Sequence, residues 1–171
     1  MRRILIIVFI LSLSLFMFGQ NDNAKKLEGR KAPNFKLATM DGDYAQLSDY
    51  LGKGPVLICF WATWCKPCVE ELTEFKKLYK EYKSQGFTIV AISIDNERTV
   101  SKVKPFVKSK NFPFNILLDS NSEVARKYYA YNVPYSVLVN KDGIIFYSHL
   151  GYMKGDELNV KKKIEELLKE S

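Results

Sequence analysis

Pro55-Val56-Leu57-Ile58-Cys59-Phe60-Trp61-Ala62-Thr63-Trp64-Cys65-Lys66-Pro67-Cys68 is an apolar run that ends in two cysteines with two residues between them. The run is too apolar for a half-exposed strand and reads as a buried one. In the segment that follows, residues 69–84, Glu71, Leu72, Phe75, Leu78, Tyr79 and Tyr82 recur at helical spacing. The cysteine pair therefore sits where a buried strand hands over to a helix. The backbone N–H groups of a helix's first turn lack partners, and the helix dipole favours negative charge there. A cysteine at that end becomes a thiolate more readily, and the thiolate is the nucleophile of disulfide exchange. Cys68, one turn on, is placed to resolve a mixed disulfide formed at Cys65.

Other uses of the pair fit less well. A structural zinc site needs four ligands. The chain has three cysteines and one histidine; Cys59 lies in the buried run and His149 is distant in sequence. A disulfide that closes so short a loop removes little chain entropy, so a purely structural bond stabilises weakly. The strand–CxxC–helix context favours redox chemistry, with the Cys65–Cys68 couple as the redox group and neither a metal nor a further cofactor.

The length of 171 residues suits one domain and a targeting segment. Met1-Arg2-Arg3 supplies a positive start, and residues 4–18 are almost wholly apolar, followed by Gly19-Gln20 and Asn21-Asp22-Asn23. This is the pattern of a signal peptide, and the run is short for a membrane span. Gly19 suits a cleavage site and the bulky Met17 does not, so a signal peptide and an uncleaved N-terminal membrane anchor both stay open for residues 1–20. Residues 21–30 read as a linker and residues 31–171 as one domain. Either reading of the leader puts the domain outside the cytoplasm, in the periplasm or on the outer face of the membrane, where disulfides persist. The net charge of +7 includes Arg2 and Arg3, and the other positives are spread. No basic block interleaved with aromatics marks a nucleic-acid groove, so the charge reads as solvated surface.

Along the domain, residues 32–38 and 44–47 read as two short strands about the turn Met40-Asp41-Gly42-Asp43, and residues 48–51 as a helical turn ending at Gly52. Strands are expected at 56–61, 87–94, 115–118, 135–139 and 144–148. Helices are expected at 65–84, 99–110 with a kink at Pro105, 122–129 and 156–169. Leu158, Ile164, Leu167 and Leu168 are expected to face inward on the last helix. Strands alternating with helices argue an α/β sheet covered on both faces, made mixed by a terminal hairpin at Asn140-Lys141-Asp142-Gly143.

Phe60-Trp61-Ala62-Thr63-Trp64-Cys65-Lys66-Pro67-Cys68 resembles the active-site signature of the thioredoxin fold. Further features are similar to the exported TlpA/ResA/DsbE-like thiol–disulfide oxidoreductases, a redoxin group related to AhpC/TSA proteins. These are Ala32-Pro33-Asn34-Phe35 with its hairpin, Leu47-Ser48-Asp49, and an inserted strand and helix over 114–129 that leads to Tyr131-Asn132-Val133-Pro134. The resemblance covers the chain from about Lys31 onward. It implies a central mixed sheet flanked by helices, an N-terminal β-hairpin and an inserted strand–helix element. It also implies a cis Val133–Pro134 bond facing the disulfide, with the backbone before Pro134 offering strand-like hydrogen bonds to a substrate.

Thioredoxin carries a buried aspartate where this chain has Cys59, which reads here as a buried, inert thiol. Glu71 is three residues past Cys68 on an otherwise apolar face, and it matches the buried glutamate of ResA-like proteins. Desolvated there, it is able to relay a proton to or from Cys68; the alternative is a surface glutamate like Glu70 or Glu74. Lys66 favours a thiolate at Cys65 or is a screened surface charge. Trp64, Lys66, Pro67, Val133 and Pro134 make up the substrate-facing set, and His149 reads as a strand-end surface residue. The partners implied are protein disulfides and dithiols, such as apocytochrome c before haem attachment, and a membrane electron donor or acceptor. Three other functions remain as alternatives: a disulfide oxidase or isomerase of secreted proteins, a peroxiredoxin-like peroxide reductase using Thr63, and a binding module that has kept the fold.

Overall fold

The computed structural model describes residues 27–170. The leader and most of the linker lie outside the described residues. Among the described residues, no helix is long and apolar enough to cross a membrane.

Strand β3 (Val56–Trp61) is buried at every position. Val56, Ile58 and Phe60 enter one core, and Leu57, Cys59 and Trp61 enter the other, as the two-residue period of a strand requires. β4 (Thr88–Ser93) runs parallel to it, and β5 (Asn115–Leu118) parallel to β4. β6 (Tyr135–Val139) lies antiparallel on the other side of β3 and is followed by β7 (Ile145–Leu150). β1 (Lys36–Thr39) and β2 (Tyr44–Gln46) form the N-terminal hairpin, which joins the far edge through an antiparallel β1–β5 pairing. The order is β2-β1-β5-β4-β3-β6-β7.

Helix α1 (Lys66–Tyr82), α2 (Val103–Lys110) and α4 (Asp156–Lys169) cover the Cys59 face, and the short α3 (Glu123–Lys127) covers the other. This is the thioredoxin-like mixed sheet that the resemblance implies, with the inserted element formed by β5 and α3. The Val133–Pro134 peptide is cis.

Several local expectations are corrected. Residues 32–35 do not belong to β1. Ala32 instead donates its N–H to Gly143 O at 2.8 Å, and Lys31 bridges to Ile144, so this segment pairs beside the last hairpin. Residues 27–30 of the expected linker are tied down too: Leu27 is buried, and Glu28 Oε1 accepts from Ser148 N and Oγ, both at 2.9 Å. Pro105 is the third residue of α2, where the missing N–H has no intrahelical partner to lose, and the preceding residues 100–102 form a 3-10 turn. Leu158 is 64% exposed; Val160 takes the inward place with Ile164 and Leu167, while Leu168 is partly buried.

Gly86 closes the turn after α1 with φ +91°, and a Cβ there would lie 2.2 Å from Lys53 O. That approach lets the chain enter β4 beside the start of β3, where Thr88 N donates to Pro55 O at 3.0 Å. Gly86→Ala combines the left-handed penalty with a backbone clash. It is expected to lower the unfolding free energy by about 2–4 kcal/mol in urea titrations; an unchanged midpoint would refute the close approach.

Candidate active site

The site stands at the C-terminal end of β3. Cys65 caps α1 with extended backbone (φ −91°, ψ 96°), and its Sγ accepts from Cys68 N at 3.3 Å. Pro67 sits in the first turn, where its lack of an N–H costs nothing. Cys65 and Cys68 are joined as a disulfide and are 6% and 0% exposed. Trp64 is 61% exposed beside them, and Lys66 and Pro67 are exposed at the helix tip.

The antiparallel β3–β6 register brings the cis-proline to the same end. Phe60 pairs with Tyr135, so Pro134 stands beside the exit of β3. Pro134 is buried and Val133 is half-buried. The Pro134 carbonyl accepts from Gly151 N at 2.8 Å, which ties the loop after β7 to the cis-proline turn.

Glu71 is buried at 1% exposure, one turn past Cys68. Burial pushes its carboxyl up to about 8; a hydrogen bond from Ser136 opposes the rise, and the charge of Asp156 adds to it. Ser136 Oγ donates to Glu71 Oε2 at 3.2 Å. Cys59 is the register partner of Ser136. Burial, then the charge of Glu71, push the Cys59 thiol well up, against a hydrogen bond with Ser136. Cys59 is thus a free, fully buried thiol.

Two groups here are absent from the sequence reading. Ser136 is one; pairing of the strand after the cis-proline with the Cys59 strand was the signal that could have found it. Asp95 is the other. It is fully buried and accepts from Thr63 N at 2.8 Å, Thr63 Oγ1 at 2.6 Å and Ser93 Oγ at 2.9 Å. The parallel register pairs Trp61 with Ser93, so Thr63 and Asp95 both lie two residues beyond it. Asp95 thereby fixes the loop that leads into Cys65. His149, expected at a strand end, lies near the end of β7, stacks on Tyr147 and places Nε2 3.3 Å from Asp156 Oδ2. No group of His, Cys, Asp or Glu among the described residues is arranged to hold a metal.

Residues 29–148 match the AhpC/TSA family. The thiol-disulfide oxidoreductase ResA of Bacillus cereus is 36% identical over 152 residues, which cover 88% of this chain and 83% of ResA. The thioredoxin domain of a thiol-disulfide oxidoreductase from Bacteroides vulgatus superposes with a TM-score of 0.69 at 28% identity, over 80% of this chain and 97% of that one. StoA of Bacillus subtilis superposes with a TM-score of 0.63 at 28% identity, over 77% and 97%.

Glu71 keeps its proton to a pH of about 8 in the folded chain and loses it near 4.5 when unfolded. Between those values the folded state binds more protons, so stability is fully present below about 4.5, falls as pH rises to about 8 and then levels off. Glu71→Gln stays neutral and lacks this loss. Urea titrations at a series of pH values are expected to show the variant gaining on the parent from pH 5 to pH 8. A difference that does not vary with pH would mean Glu71 is ionised in the fold.

Proposed function

The chain belongs to the AhpC/TSA family and is a thiol–disulfide oxidoreductase, and we propose that it reduces disulfides of exported proteins, in the manner of cytochrome c maturation. The observation that carries this reading is the buried Glu71 beside Cys68, a carboxyl able to hold or release a proton near neutral pH. In the reduced enzyme the Cys65 thiolate attacks one sulfur of a substrate disulfide and expels the other as a thiolate. The carboxylate form of Glu71 takes the Cys68 proton, and the Cys68 thiolate then attacks the Cys65 sulfur and expels the second substrate thiolate. The two substrate thiolates take one proton back from Glu71 and one from solvent, so the substrate leaves as a dithiol, two electrons richer, and the enzyme holds the Cys65–Cys68 disulfide. A membrane electron donor returns those electrons, and no cofactor beyond the cysteine pair takes part.

Protein substrates fit the rim of the site. Trp64, Tyr131 and Met153 are 61%, 63% and 75% exposed. They lie on the CxxC loop, the cis-proline loop and the loop after β7 that Gly151 ties to Pro134. Trp64, Lys66, Pro67, Val133 and Pro134 line this rim and receive an extended segment. The apolar leader of residues 1–20 carries the domain out of the cytoplasm, as a cleaved signal or as an anchor, and the chain from residue 27 onward acts as the single working domain. The Thr63 hydroxyl donates to Asp95, which leaves it poorly placed to serve a peroxidatic cysteine.

The decisive measurement is the potential of the Cys65–Cys68 couple in dithiothreitol buffers, expected near the thioredoxin value of about −270 mV. A potential near about −120 mV would replace the reductant with a disulfide donor. Cys65→Ala is expected to abolish reduction of a protein disulfide, and Cys68→Ala to accumulate the mixed disulfide on non-reducing gels. Full turnover in Cys65→Ala would overturn the assignment of the nucleophile.

A further inference from the structure

We propose that Ser136 is a positioning residue that sets the charge state of Glu71, through the buried hydrogen bond it makes to that carboxyl beside Cys59, its neighbour on β3. The inference deepens the proposed function and rests on the placement of Glu71 beside Cys68. The three side chains come from three elements, β3, β6 and α1, and none is more than 1% exposed. Ser136 and Leu138 face α1, while Tyr135, Val137 and Val139 face the opposite core. Apolar packing would fill the place of Ser136 more cheaply, because a buried hydroxyl must find partners.

Here it finds Glu71. Ser136 Oγ donates to Glu71 Oε2 at 3.2 Å, and Cys59 is the register partner of Ser136 on β3. A hydroxyl has one proton to give and can accept others. When Glu71 is ionised, Ser136 donates to the carboxylate. When Glu71 is protonated, its carboxyl is able to donate to the Ser136 oxygen instead. Cys59 keeps its proton in both arrangements, because burial and the nearby carboxylate oppose its ionisation. The hydroxyl therefore serves both charge states of Glu71, as donor to one and acceptor from the other.

The other groups that face Glu71 do not substitute for Ser136. Tyr147 on β7 and Tyr152 in the loop after it both feel the Glu71 charge. Tyr152 gives its hydroxyl proton to Glu157 at 3.0 Å. Asp156 at the start of α4 opposes ionisation of Glu71. Its Oδ2 accepts from Met153 N at 2.7 Å and lies 3.3 Å from His149 Nε2. On α1 itself, Cys68 precedes Glu71 by one turn and Glu74 follows by one. Against these, Ser136 is the donor that favours the carboxylate.

The test is a carboxyl NMR titration of the full chain with labelled glutamate, in the reduced and oxidised states, for the parent, Ser136→Ala, Ser136→Thr and Cys59→Ala. Losing one hydrogen bond to a charged group is expected to move the Glu71 midpoint upward by about one pH unit in Ser136→Ala. Ser136→Thr keeps the hydroxyl and is expected to restore the midpoint. Cys59→Ala leaves the Ser136 hydroxyl in place and is expected to move it by less. An unmoved midpoint in a folded Ser136→Ala overturns the proposal, and so does a larger shift in Cys59→Ala than in Ser136→Ala. The pH profile of thiol alkylation, read on the same proteins and on Glu71→Gln, separates the two readings. If Glu71→Gln leaves that profile unchanged, proton relay by Glu71 fails, while a shifted midpoint in Ser136→Ala still upholds the role of Ser136.

Discussion

Burial of β3 on both faces is the constraint from which the site follows. A strand with no exposed position cannot slip by one residue without turning each side chain into the other core. The register with β4 and β6 is therefore held firmly, and the end of β3 arrives at one place. There the chain turns through Ala62, Thr63 and Trp64 into α1, and Cys65 becomes the residue that caps the helix. The parallel neighbour brings Asp95 to Thr63, and the antiparallel neighbour brings Pro134 and Ser136. The cysteine that caps the helix, a clamp for its loop, the cis-proline turn and the hydroxyl that meets Glu71 are placed by one strand and its two partners.

The same burial governs the electrostatics. Close packing around β3 leaves Glu71 1% exposed, and a buried carboxyl resists ionisation. The core accepts this cost at one position and offsets part of it with a single hydroxyl from β6. A second buried acid, Asp95, is treated differently. Three donors surround it, two of them hydroxyls and one a backbone N–H, so its burial serves to hold a loop. Two carboxyls close to one disulfide thus have different duties, set by how many donors each receives.

The sequence makes the fold and the reactive centre legible because both depend on local pattern. Val56–Trp61 is uniformly apolar, α1 carries a helical stripe, and the cysteine spacing marks the junction between them. Glu71 stands out for the same reason, as a charge on an apolar stripe. What stayed hidden depends on register across strands. Ser136 and Asp95 lie 65 and 32 residues from the groups they bind, and nothing in their own neighbourhoods marks them. Leu158 shows the converse error: an apolar residue near the start of an amphipathic helix looks inward by type, but its angular position falls outside the stripe that Val160, Ile164 and Leu167 define.

Placing the buried acid on the helix and not on the central strand changes which element carries the carboxyl. An acid on β3 would be fixed by the sheet whatever the cysteines did. Glu71 rides on α1, the same helix that carries Cys68, and its hydroxyl partner rides on the strand that begins just after the cis-proline. A substrate seated against Val133 and Pro134 would press on the element that holds that hydroxyl. The hydroxyl that meets Glu71 stands two residues past the cis-proline, so the polar contact between helix and sheet is held by the strand that starts at that turn.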